Sequence, residues 1–68
     1  MSLGQTVREL RMEKNLSVRQ LAAESGVAPS TICRIEKDEG SCHTSTLKML
    51  ACSLGLPADA FVKIKNQQ

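Results

Sequence analysis

The stretch Leu16-Ser17-Val18-Arg19-Gln20-Leu21-Ala22, followed by Gly26-Val27 and then Pro29-Ser30-Thr31-Ile32-Cys33-Arg34-Ile35-Glu36, decides the fold. Ser17 and Gln20 form a capping box, in which each side chain accepts from the other residue's backbone N–H. Leu16 and Leu21 hold the two positions of a hydrophobic staple around the same cap. These signals start a helix at Ser17 that runs to about Ser25, where Gly26 stops it. Pro29 suits the first position of the next helix, because its missing N–H is not needed there. That helix extends to about Lys37, with Ile32 and Ile35 as its inner face. Ala28 precedes it as a weak cap.

Working outward, Leu3, Val7 and Leu10 share one face of a helix from about Gly4 to Lys14. Asn15 tolerates the left-handed conformation that ends helices. Beyond a polar loop from Asp38 to Cys42, Leu47, Leu50, Ala51 and Leu54 mark an amphipathic helix from about Thr44 to Leu54, closed by Gly55. A fifth helix covers about Ala58 to Lys65, with Phe61, Val62 and Ile64 inward, and residues 66–68 fray. No segment alternates apolar and polar residues over a strand length. The expectation is an all-α fold of five short helices in one domain spanning residues 1–68.

Composition bounds the function. A chain of 68 residues buries only about 60% of its unfolded surface and supports a single core. No apolar run approaches the ~18 residues of a membrane span, and no signal peptide is evident. Nine Lys and Arg against seven Asp and Glu give a net charge of +2, and the pI is near 8.6. This balance permits a polyanionic partner without demanding one. One Phe and no Tyr or Trp argue against binding single strands by base stacking. Cys33, Cys42 and Cys52 are odd in number and widely spaced, which reads as free thiols in a reducing cytoplasm. A zinc site around Cys42 and His43 lacks a fourth ligand. There is no Gly-rich phosphate loop and no group to orient a Cys–His pair. No enzyme activity, metal, cofactor, membrane or small-molecule ligand is expected.

The capped helix, the short glycine turn and the second short helix have the spacing of a helix-turn-helix. Ala22 sits at the steep crossing, and Val27 closes the corner with Leu21 and Ile32. The third helix is left with a free outer face carrying Ser30, Thr31 and Arg34. Side chains so placed at the start of a recognition helix reach base edges in the major groove. His43-Thr44-Ser45, opening the fourth helix, and Ser17, opening the second, put free N–H groups and a positive dipole end where a phosphate binds. The same residues also serve as ordinary helix caps.

Together with Thr46-Leu47, Leu50-Ala51 and Leu54-Gly55-Leu56-Pro57, this run resembles the phage repressor/Cro-type, or Xre-like, helix-turn-helix family over roughly Leu3 to Val62. The resemblance implies a five-helix, lambda-repressor-like domain that binds double-stranded DNA and regulates transcription, often as a dimer and most often as a repressor. Carried over position by position, it implies base contacts from Ser30, Thr31 and Arg34. It implies a phosphate contact at Val18, beside the phosphate candidates Ser17, Arg19, Lys37, His43, Thr44 and Ser45. It also implies an ion pair between Arg11 and Glu36 that ties the first helix to the third. Three positions depart from the pattern. Val18 offers only its backbone N–H, Pro29 replaces a base-reading side chain, and Asp38-Glu39 replace a basic loop.

Several residues admit two readings. Arg34 either contacts DNA, as a guanine reader or on a phosphate, or is a solvated arginine or the i+4 partner of Asp38. Met49 and Cys52 lie off the core stripe of the fourth helix, as either isolated surface apolar residues or, with Leu56, the contact of a weak homodimer. The chain has no room for a sensor domain, so it reads as a stand-alone regulator, an antitoxin-like partner or a piece of a longer protein. The alternative function is a protein–protein interaction module, antitoxin-like or adaptor, of the same fold. Val18, Pro29 and the acidic loop favour it.

Overall fold

Residues 2–39 and 43–66 are described by a computed structural model of the chain. Their five helices are α1 (Leu3–Glu13), α2 (Val18–Ser25), α3 (Pro29–Glu36), α4 (Thr44–Ser53) and α5 (Ala60–Asn66), with no strand among the described residues. Each start and stop has a local cause. Ser2 accepts from the N–H of Gln5 and starts α1 at Leu3, one residue before the expected Gly4. The capping box of Ser17 and Gln20 is fully formed. Gly26, at φ 79°, ends α2. α5 begins at Ala60 rather than Ala58, because Pro57–Ala60 forms a turn in which the N–H of Ala60 donates to the Pro57 carbonyl.

Three helices end in the same way. After α1, Leu16 N–H donates to Arg11 O and Asn15 N–H to Met12 O, with Asn15 at φ 57°. After α4 the same pair of bonds joins Leu56 to Ala51 and Gly55 to Cys52, with Gly55 at φ 77°. After α3 it joins Glu39 to Arg34 and Asp38 to Ile35, with Asp38 at φ 56°. This is the Schellman pattern, which satisfies the carbonyls orphaned at a helix end. Asp38, expected as an ordinary loop residue, is thus the left-handed cap of α3. Gly40, Ser41 and Cys42, and with them the zinc reading, lie outside the described residues.

The core is Leu3 and Val7 from α1, Leu21 from α2, Val27 from the turn, Ile32 and Ile35 from α3, Leu47, Leu50, Ala51 and Leu54 of the α4 stripe, and Phe61 from α5. Val62 and Ile64 are half-buried against it. α3 packs on α1 and α2, α4 packs on α2 and α5, and α5 touches α1. α1 and α3 approach so closely at Gly4 that a Cβ there would lie 2.6 Å from the Glu36 carbonyl oxygen and against that of Ile35.

Candidate nucleic-acid interface

α3 is fastened by its inner face and bare on its outer one. Ile32 and Ile35 are buried in the core cluster that also holds Leu21, Val27 and the α1 residues Leu3 and Val7. Across the helix, Pro29, Ser30, Cys33, Arg34 and Lys37 are exposed. Of the three base-contact candidates, Ser30 and Arg34 lie on this bare face, while Thr31 is half-buried at its edge. The i+4 pairing of Arg34 with Asp38 is absent. Asp38 Oδ1 instead accepts from the backbone N–H of Gly4 at 2.9 Å. That bond gives α1 the acidic group its own first turn lacks, and favours the positive end of its dipole. No ion pair among the described residues holds Arg34, so its guanidinium is available to a ligand.

Arg11 and Glu36 lock α3 in place. Arg11 Nε donates to Glu36 Oε2 at 2.8 Å and Nη2 donates to Oε1 at 3.1 Å. Nη1 donates to the Leu16 carbonyl at 2.8 Å, so the same guanidinium also fixes the α1–α2 turn. The two side chains are only 14% and 9% exposed. The hydrogen bonds to Glu36 raise the Arg11 pKa above its ordinary value against the opposing effect of partial burial. The pair is a bidentate fork, the strong geometry for arginine and carboxylate.

The phosphate candidates fall at two helix starts and one helix end. Ser17 is exposed at the N-cap of α2, with its hydroxyl already accepting from Gln20. Val18 is half-buried beside it and Arg19 is exposed. Lys37 is the exposed C-cap of α3. His43, Thr44 and Ser45 are all exposed at the start of α4. The expected side-chain capping of α4 does not form. His43 holds the N-cap position without a hydrogen bond from its ring, and the two hydroxyls fall inside the first turn.

A helix-turn-helix family model matches residues 7–61. The chain belongs to this family. It is 40% identical over 62 residues to the HTH-type transcriptional repressor RghR of Bacillus subtilis (strain 168), covering 90% of this chain and 46% of that protein. It is 34% identical over 62 residues to the immunity repressor protein of Bacillus phage phi105, covering 91% and 43%. It therefore spans less than half the length of these relatives. Among solved structures it is similar to a chain of the SinR protein/SinI protein complex, with a TM-score of 0.80 at 26% identity, covering 96% of this chain and 64% of that one.

The structure adds residues to the helix-turn-helix face that the spacing argument passed over. Cys33 is exposed on the outer face of α3, one turn from Pro29 and Ser30. It lines a cleft of about 280 Å³ together with Arg8, Arg11, Glu36 and Lys37. Helix spacing put Cys33 one turn from Ser30 and Arg8 one turn from Arg11, but nothing local put the two helices side by side. A second concavity of about 470 Å³ joins Met49 and Cys52 to Glu24, Ser25, Lys48 and Ser53. Met49 is 43% exposed there, while Leu56 is half-buried against the core.

Proposed function

We propose that this chain binds double-stranded DNA in a sequence-specific manner and regulates transcription in the cytoplasm as a repressor. α3 enters the major groove. Arg34 and Ser30 reach base edges, with Thr31 at the margin of the contact. Ser17, Val18, Arg19, Lys37, His43, Thr44 and Ser45 position the domain on the phosphates. The observation that carries this reading is the bare outer face of α3, opposite buried Ile32 and Ile35 and clamped at its far end by Arg11 and Glu36. The relatives' names, a transcriptional repressor and an immunity repressor, support it.

A net charge of +2 lets one copy neutralise few phosphates. A weak homodimer, joined through Met49, Cys52 and the neighbourhood of Leu56, doubles both the charge and the base contacts. The test is a titration against random duplex at about 50 and 200 mM salt, followed by selection of bound sequences from a random pool. The reading expects binding that weakens as salt rises, with a slope set by the few phosphates each copy neutralises, and an enriched sequence. The rival, a protein-interaction module, is favoured by Val18, Pro29 and the acidic Asp38-Glu39 pair that follows α3, and by a structural relative solved in complex with a second protein. It expects no enrichment and no salt-dependent binding.

A further inference from the structure

The exposed face of α3 consists of two rows. Ser30 and Arg34, at i and i+4, carry a hydroxyl and a guanidinium. Pro29 and Cys33, also at i and i+4, run beside them and are exposed too. The Pro29 and Cys33 side chains themselves are poor in polar capacity, although Cys33 also lines the cleft with Arg8, Arg11, Glu36 and Lys37. Pro29 has no N–H, and a thiol is only a weak donor and acceptor. Ala28, exposed at the N-cap with no side-chain hydrogen bond, extends the apolar strip by a methyl group. Lys37 closes the row at its far end.

The strip therefore brings apolar atoms to the base edges if the helix is seated in the groove. Each base pair offers donors and acceptors along its major-groove edge, and thymine alone adds an apolar group, its C5 methyl. A proline ring over a cytosine amino group or a guanine carbonyl leaves that group desolvated and unpartnered. Over a thymine methyl it removes apolar surface from water on both sides. Resting on the proposed docking of α3, we infer that Pro29 and Cys33 are specificity-determining residues that select thymine through its C5 methyl, beside a guanine read by Arg34. The missing donor at Pro29 is then a choice of base rather than a lost contact.

The experiment starts from the tightest duplex selected from a random pool by the full 68-residue chain. Each thymine is replaced in turn by deoxyuridine, which deletes the methyl and keeps the base pair. At one or two positions per half-site, affinity falls about fourfold, the worth of one buried methyl-sized group. Pro29→Ser and Cys33→Ser are then measured on the thymine and uracil duplexes. At least one variant loses the preference for thymine while binding the uracil duplex within about twofold of the parent, which also shows that it is folded. If Pro29→Ser binds neither duplex, Pro29→Ala replaces it and is read beside Cys33→Ser, a near-isosteric change at an exposed site. Equal binding of every uracil duplex overturns the inference and leaves the proposed function standing. A thymine preference that survives in the folded variants assigns the methyl to other residues and overturns it too. Failure to select any duplex overturns the proposed function, and the inference with it.

Discussion

Two residues hold α1 against α3, by opposite means. Gly4 acts by what it lacks, because any Cβ would press on the Ile35 and Glu36 carbonyls, and backbone cannot swing aside as a side chain does. Gly4→Ala is expected to destabilise by about 3 kcal/mol, at the upper end of ordinary overpacking, read as a lower urea midpoint. Arg11 acts through three hydrogen bonds to two partners. Breaking a buried pair costs about 3–5 kcal/mol and an exposed one close to nothing; this pair, nearly but not wholly buried, sits between, at about 2 kcal/mol for Arg11→Ala. Arg11→Lys is expected to recover less than half of that loss, since an ammonium lacks the fork that serves Glu36 and Leu16 together. A full recovery in the same unfolding measurement contradicts the bidentate account. Arg34→Ala behaves differently. It leaves the unfolding midpoint in place and weakens binding to the selected duplex by about 1–3 kcal/mol, with relaxed preference at one base pair.

At the level of elements, the helix ends have distinct chemistry and so distinct sensitivities. The capping box at Ser17 satisfies two backbone N–H groups at the entrance to the helix-turn-helix. Ser17→Ala is expected to cost about 1 kcal/mol in thermal or urea unfolding. The end of α3 is more demanding. Asp38 must adopt φ 56° and also present its carboxylate to the Gly4 N–H. Asn supplies both the left-handed backbone and an acceptor. Gly supplies the backbone alone, and Ala supplies neither. The expected order of stability is therefore Asp38→Asn above Asp38→Gly above Asp38→Ala, with the last about 1–2 kcal/mol below the parent. An Ala variant as stable as the Asn variant removes both the strain argument and the hydrogen-bond argument.

The whole molecule is small, weakly charged and one-sided. The proposed recognition helix α3 occupies one face, so in the proposed dimer on a two-fold site, with half-sites about 34 Å apart, the two copies would meet elsewhere. The concavity around Met49 is lined by residues of α2 and α4 and by none of α3, and carries Glu24 and Lys48 beside the apolar centre. Sedimentation equilibrium is expected to show weak self-association in solution and two copies on a palindromic duplex. Met49→Lys is expected to reduce the second occupancy while leaving binding to a single half-site unchanged. One copy per palindrome in the parent protein rules out this assembly.

The positions of the helices were legible from short-range chemistry. The Ser17–Gln20 box, Pro29 at a helix start, Gly26 and Gly55 as stops, and the Leu47–Leu54 stripe all act within a few residues. Nothing distant needs to be known for them to operate. The outward placement of Ser30 and Arg34 followed from the same periodicity, because the burial of Ile32 and Ile35 leaves only one face for them. The partner of Asp38 was not legible. In sequence it is four residues from Arg34 and thirty-four from Gly4, and local spacing favours the arginine. The packing of α1 on α3 reverses that preference: Gly4 lets the two backbones close, and an orphaned N–H at the start of α1 then meets the carboxylate. The cleft joining Arg8 to Cys33 and Lys37 has the same origin. It exists only where two helices far apart in the chain pass side by side, so tertiary contact alone decides it.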